Sequence, residues 1–72
     1  MNLRMYVKGY LGIEKFNVLE DEEWISINIY ELNFTVDQLH KLIKKLESKG
    51  FNHHDMRFTG DTLEIYMVRE DG

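Results

Sequence analysis

The residues best suited to metal binding are the three histidines of the chain and the aspartate beside two of them. His40 lies within a predicted helix, and His53, His54 and Asp55 follow that helix. A zinc site needs three or four converging ligands, but about ten helical residues, or roughly 15 Å, separate His40 from the helix end. Consecutive side chains of a strand also point to opposite faces. We therefore expect no metal or cofactor, with a histidine metal site as the alternative.

Nucleophilic catalysis has little support in the sequence. The chain contains no cysteine and two serines, Ser26 in a predicted strand and Ser48 late in the predicted helix. Neither has the strand–turn–helix setting that exposes a nucleophile, and no glycine-rich phosphate-binding loop is present. A chain of 72 residues also has little room for a pocket of ~300 Å³ or more. We expect a protein that is not an enzyme.

Four aromatic residues and one arginine have side chains suited to protein recognition. Tyr, Trp and Arg are enriched at binding hot spots, and the predicted strands place these residues on one face of a sheet. The alternatives are that the rings only support their cross-strand neighbours, or that a second copy of the chain covers them and adds stability. The candidate contact residues are Tyr6, Trp24, Tyr30, Tyr66 and Arg57.

A run of consecutive carboxylates is the second candidate binding element. Carboxylates displayed together can occupy the Lys- and Arg-lined groove of a nucleic-acid enzyme and steer association. A solvated loop is the alternative. The net charge of −4 argues against direct binding to a phosphate backbone, which requires Lys and Arg. The run comprises Glu20, Asp21, Glu22 and Glu23, and we expect Glu14 and Glu31 to lie at the same end of the molecule.

One helix is specified by signals at both of its ends. Thr35 can cap its N-terminus, and Gln38, three residues later, can complete a capping box. Gly50 can adopt the left-handed conformation that follows a helix. The apolar residues between these signals share one face, which predicts an amphipathic helix over residues 36–49. Its lysines complement the helix dipole or, alternatively, provide a dock for an acidic surface.

The remaining segments show the alternation that is typical of strands. Leu3, Met5 and Val7 alternate with polar residues, a weaker pattern covers residues 13–19, and a strong one covers residues 24–31. Gly60 and Asp61 predict a two-residue hairpin turn. That turn pairs apolar residues on one face of the hairpin and opposite charges on the other, which supports the register.

These elements predict an α+β fold with two layers and a single domain, residues 1–72. An antiparallel sheet of four to five strands is covered on one face by a single helix, in the order β-β-β-α-β-β. Because the helix has only one apolar stripe, it covers only one side of the sheet. The second sheet face must therefore meet solvent, a partner or another copy of the chain.

Composition predicts a globular protein of the cytoplasm. Apolar residues make up 43% of the chain and charged residues 31%, which suffices for a core and for solubility. The absence of cysteine fits a reducing compartment. No apolar run reaches membrane-spanning length, and the N-terminal alternation lacks the apolar block of a signal peptide. The chain has no Ala or Pro but many Ile, Lys and Asn, a bias typical of AT-rich genomes such as those of low-GC bacteria and their phages.

Together these features predict a small non-catalytic protein-binding module. The specific hypothesis is a phage or mobile-element inhibitor or regulator that occupies the surface of a larger host protein, with a nucleic-acid enzyme as one candidate partner. One alternative is a homo-oligomeric structural or scaffold protein, a homodimer for example, that self-associates through its aromatic sheet face. The other is a single-stranded nucleic-acid binder that stacks bases on the same rings.

Overall fold

The computed structural model describes residues 2–70, except for the side chain of His53. Two helices and four strands follow one another along the chain in the order α-β-β-α-β-β. Neither helix is long and apolar enough to cross a membrane within this described part. The elements are α1 (Leu3–Leu11), β1 (Phe16–Glu20), β2 (Trp24–Ile29), α2 (Val36–Ser48), β3 (Phe51–Thr59) and β4 (Thr62–Arg69).

The four strands form one antiparallel sheet in the order β1-β2-β4-β3. The predicted hairpin register is confirmed. Thr59 pairs with Thr62, Phe58 with Leu63, Arg57 with Glu64, and Met56 with Ile65. Gly60 has φ +63°, which suits the first position of a type II′ turn and which other residues rarely adopt. The α+β class and the antiparallel sheet covered on one face are thereby confirmed.

Helix α2 carries the predicted capping box. The backbone N–H of Gln38 donates to Thr35 Oγ1 (3.1 Å), and the backbone N–H of Thr35 donates to Gln38 Oε1 (2.7 Å). At the other end the N–H of Gly50, at φ +96°, donates to the carbonyl of Glu47. The reciprocal bonds satisfy backbone groups that the helix itself leaves unpaired, so local sequence fixes where α2 begins and ends.

The N-terminal segment forms a helix, and the prediction of a strand at residues 3–8 was wrong. Leu3, Val7 and Leu11 recur every fourth residue and are all buried. The side chain of Asn2 caps the helix by accepting from the N–H of Met5 (3.2 Å). Gly12, at φ +65°, ends it by donating its N–H to the carbonyl of Lys8 (2.8 Å). The covering layer therefore contains two helices, and the sheet has four strands.

The core lies between the sheet and the two helices. Every second residue of β2 and of β4 is buried, because consecutive side chains of a strand alternate between its faces. Helix α1 packs beside α2 and against the same cluster. The fully buried residues include Ile25, Ile27, Ile29, Leu63, Ile65 and Met67 from the sheet, and Leu3, Val7, Leu11, Leu42 and Leu46 from the helices.

Candidate binding face of the sheet

The side of the sheet that faces away from α1 and α2 is called here the open face. Because the buried residues of each strand point toward the helices, the residues between them point the other way. No element among residues 2–70 packs over this side. The open face includes Asn17 and Leu19 of β1, Trp24, Ser26 and Asn28 of β2, Glu64, Tyr66 and Val68 of β4, and Asn52, His54, Asp55 and Arg57 of β3.

Trp24 and Tyr66 lie together on the open face. Ser26 pairs with Tyr66 and Trp24 pairs with Val68, so the two aromatic residues are diagonal neighbours on adjacent strands. Their ring centroids are 6.1 Å apart with an interplanar angle of 34°. This distance is within the range of favourable aromatic pairs, which contribute ~0.5–1.5 kcal/mol beyond their buried area.

His54 joins this pair through a β-bulge in β3. The register of β3 against β4 shifts between His53 and Asp55, so His54 has no partner residue on β4. Its ring lies edge-on to Tyr66, with centroids 5.5 Å apart and an interplanar angle of 70°. Bulges redirect side chains in this way. Trp24, His54 and Tyr66 are called here the aromatic cluster.

Apolar residues extend the aromatic cluster toward the edge of the sheet. Leu19 of β1 pairs with Ser26, which places it across the strand from Tyr66, and 52% of its surface is exposed. Val68 lies beside Trp24 and is half-buried. At this end of the open face, apolar and aromatic side chains therefore surround Ser26.

A shallow depression of about 450 Å³ lies on the β3 side of Tyr66. Its walls carry both signs of charge. Arg57 donates to the carboxylate of Asp55 (3.4 Å), and the carboxylate of Glu64 accepts from the hydroxyl of Thr59 (3.0 Å). One arginine and two carboxylates therefore line the depression beside the Tyr66 ring, which leaves one more negative than positive charge there.

The acidic run forms the turn between β1 and β2, directly beside Trp24. Glu20 is the last residue of β1, and Asp21, Glu22 and Glu23 are exposed. The N–H of Asp21 donates to the carbonyl of Trp24 (2.9 Å), which closes the turn. Residues 20–23 are called here the acidic turn. The structure therefore brings the acidic turn and the aromatic cluster to the same end of the molecule.

Arg69 fixes the acidic turn in place, and the sequence did not indicate this role. Its side-chain Nε donates to the carbonyl of Glu22 (2.8 Å), and its backbone N–H donates to the carbonyl of Glu23 (2.7 Å). The guanidinium also lies over the ring of Phe51, 4.6 Å from the centroid. Because Arg69 is 47 residues from Glu22, no local pattern could have revealed the contact.

Two of the predicted aromatic contacts lie elsewhere. Tyr6 belongs to α1 and packs against the core, and the centroid of its ring lies 5.7 Å from the Nζ atom of Lys45. Its predicted place on the open face was wrong, because the segment is helical. Tyr30 follows β2 and is exposed. Six residues separate it from Trp24, or roughly 20 Å of strand, so it lies at the opposite end of the sheet.

Glu14 and Glu31 also lie away from the acidic turn, contrary to the prediction. The carboxylate of Glu31 accepts from the backbone N–H groups of Glu14 (3.0 Å) and Lys15 (3.4 Å), at the other end of the β1–β2 pair. These two hydrogen bonds stabilise the charged form and lower the pKa of Glu31. Glu31 therefore holds the segment that leads into β1.

The histidines do not converge. His40 lies on α2, on the helical side of the sheet, whereas His54 lies on the open face. The side chain of His53 is outside the described part of the chain. Among the side chains that the structure describes, no group of three or more His, Asp or Glu could hold a metal ion.

Comparisons with protein-family models, with curated proteins and with solved structures found no match to this chain.

Proposed function

We propose that this chain is a non-catalytic protein-binding module that docks the aromatic cluster and the acidic turn onto a larger protein. The observation that supports the proposal is the position of these two features at one end of an uncovered sheet face. An apolar, aromatic centre with a charged rim is the usual anatomy of a protein interface. The proposal therefore rests on which residues lie together on the open face.

The aromatic cluster supplies the anchor of the proposed interface. Trp and Tyr bury large areas and lose little conformational entropy, and truncating such anchors commonly costs 2 kcal/mol or more, about thirtyfold in affinity. Tyr66 retains 37% of its surface exposed and is held from two sides by Trp24 and His54. Because neighbouring rings restrict it before binding, less entropy is lost when the partner docks.

The charges predict a partner with a basic surface. The acidic turn carries four carboxylates at the Trp24 end of the sheet, and Asp55 and Glu64 line the depression next to Tyr66 together with Arg57. Carboxylates at the rim of an interface raise the association rate with a cationic surface, and salt weakens this effect because the Debye length is only about 8 Å at 0.15 M. A nucleic-acid enzyme, with its Lys- and Arg-lined groove, is the partner class that we propose.

An inhibitory or regulatory role follows from this mode of binding. A module without catalytic groups changes its partner by occupying a surface that the partner uses. The composition of the chain supports a phage or mobile element as its source and the host cytoplasm as its place of action, and both are part of the proposal.

Affinity purification from a host lysate, with matched variants, tests the proposed function. We expect a partner that the native chain retains and that Trp24→Ala and Tyr66→Ala lose by about thirtyfold or more in affinity. Tyr30→Ala removes an exposed aromatic side chain from the other end of the sheet and serves as the control. Equal retention by Trp24→Ala and the native chain would contradict the proposal, as would binding that rises with salt.

A further inference from the structure

Strand β3 forms an edge of the sheet and leaves one side of its backbone unpaired. It pairs only with β4, and among residues 2–70 no backbone hydrogen bond outside that ladder involves residues 51–59. The strand has nine residues, and from Asp55 to Thr59, on the hairpin side of the His54 bulge, it offers a regular row of N–H and C=O groups to which another strand can add.

The hairpin turn determines which backbone groups point outward. Thr59 and Thr62 flank the two-residue turn, and residues in that position exchange both N–H···O bonds. Hydrogen-bonded and non-hydrogen-bonded pairs then alternate along an antiparallel ladder. The backbone N–H and C=O of Arg57 therefore point toward β4. Those of Met56 and Phe58 point in the opposite direction, outward from the edge of the sheet.

The charges of β3 are complementary to those of a second β3. In an antiparallel pair centred on Met56, Asp55 of each copy lies opposite Arg57 of the other. Those positions are non-hydrogen-bonded pairs, in which Cα atoms approach to about 4.5 Å and side chains are close. A register centred on Arg57 would instead place two arginines opposite each other, which is unfavourable.

The helical side of β3 carries exposed apolar residues that the same pairing would cover. Val36, Leu39, Ile43 and Met56 line a groove of about 320 Å³ between α2 and β3. Val36 is 82% exposed and Phe58 is 67% exposed. In the Met56-centred register the two Met56 side chains lie opposite each other, and Phe58 lies diagonally from Met56 of the second copy, within contact distance.

We propose that two copies of this chain pair through β3, antiparallel and centred on Met56, to form one continuous eight-stranded sheet. The pairing uses an edge of the sheet and leaves the aromatic cluster uncovered, so it does not depend on the proposed function. With the two-fold axis perpendicular to the sheet, both open faces lie on the same side. One consequence does rest on the proposed function: the dimer would present two binding surfaces to one partner assembly and gain avidity.

A charge-swap experiment tests this register. Asp55→Arg places like positive charges opposite each other in a homodimer, and Arg57→Asp places like negative charges there. We expect each variant alone to dimerise roughly tenfold to a hundredfold more weakly than the native chain, as measured by sedimentation velocity. An equimolar mixture of the two should dimerise again, because the arginines of one variant face the aspartates of the other.

Other outcomes would overturn the proposal. A native chain that stays monomeric up to millimolar concentration would do so, as would single variants that dimerise normally or a mixture that stays monomeric. Circular dichroism checks that both variants fold. Amide exchange of the native chain provides an independent measurement: the N–H groups of Met56 and Phe58 should become protected as concentration rises. Protection that appears instead around Trp24 would identify the open face as the dimer interface.

Discussion

At the residue scale, single side chains join segments that are distant in the sequence. Arg69 connects the end of β4 to the acidic turn, and Glu31 connects the end of β2 to the segment before β1. Neither residue lies in a motif. Their roles depend on which strands are neighbours, and so they could not be predicted from local spacing.

Removal of the Arg69 side chain should destabilise the fold. Arg69→Ala deletes a hydrogen bond from a charged donor and the contact with Phe51, and we expect the free energy of unfolding to fall by about 1–3 kcal/mol. Urea denaturation measures this change. Lys44→Ala is the control, because Lys44 is exposed and the structure describes no ion pair for it. Equal effects of the two substitutions would show that the Arg69 contacts contribute nothing.

The stability that Glu31 provides should depend on pH. Its pKa in the folded protein is lowered from an ordinary value of 4.5 by the two N–H donors. A lowered pKa stabilises the folded protein above pH 4.5. This stabilisation is lost as the pH falls through the pKa that Glu31 has in the folded protein. Glu31→Gln should therefore be less stable than the native chain at neutral pH, and the difference should shrink in acid. A difference that stays constant in urea titrations from pH 7 to about pH 3 would contradict this account.

At the scale of elements, local signals predicted some segments well and one segment wrongly. Helix α2 and the β3–β4 hairpin have caps and a turn that act within a few residues, so their bounds and register followed from the sequence. The N-terminal segment is ambiguous, because Leu3, Met5 and Val7 fit a strand whereas Leu3, Val7 and Leu11 fit a helix. Packing against α2 and the sheet favours the helical conformation, in which Met5 is exposed.

The two glycines of the N-terminal segment provide a test of α1. Gly9 lies inside the helix with open space around it, so Gly9→Ala should stabilise the protein by about 0.5–1 kcal/mol. Gly12 ends the helix at φ +65°, so Gly12→Ala should destabilise it by about 1–2 kcal/mol. Urea denaturation of the two variants measures whether the free energy of unfolding rises or falls in each. Destabilisation by Gly9→Ala would favour a turn at this position over a helix.

The strand order explains what the sequence could and could not predict of the candidate site. Alternation in β2 and β4 placed Trp24 and Tyr66 on the open face, and the order β1-β2-β4-β3 brings these strands together. That order arises from long-range packing, for which the sequence carries no local signal. The same holds for His54, whose position depends on a bulge against β4.

At the scale of the whole molecule, the two helices cover one side of the sheet and leave the other side uncovered. The core is built from the helical side alone. Residues of the open face therefore contribute less to the stability of the fold than the core residues do. This separation allows a binding surface to change without loss of the fold.

Trp24 is the only tryptophan of the chain and reports directly on the open face. We expect acrylamide to quench its fluorescence in the isolated protein equally at all protein concentrations, because pairing through β3 leaves Trp24 uncovered. Addition of the partner should protect it from quenching. A Trp24 that is shielded in the isolated protein, or that stays equally accessible when the partner is bound, would contradict the claim that the open face is the binding surface.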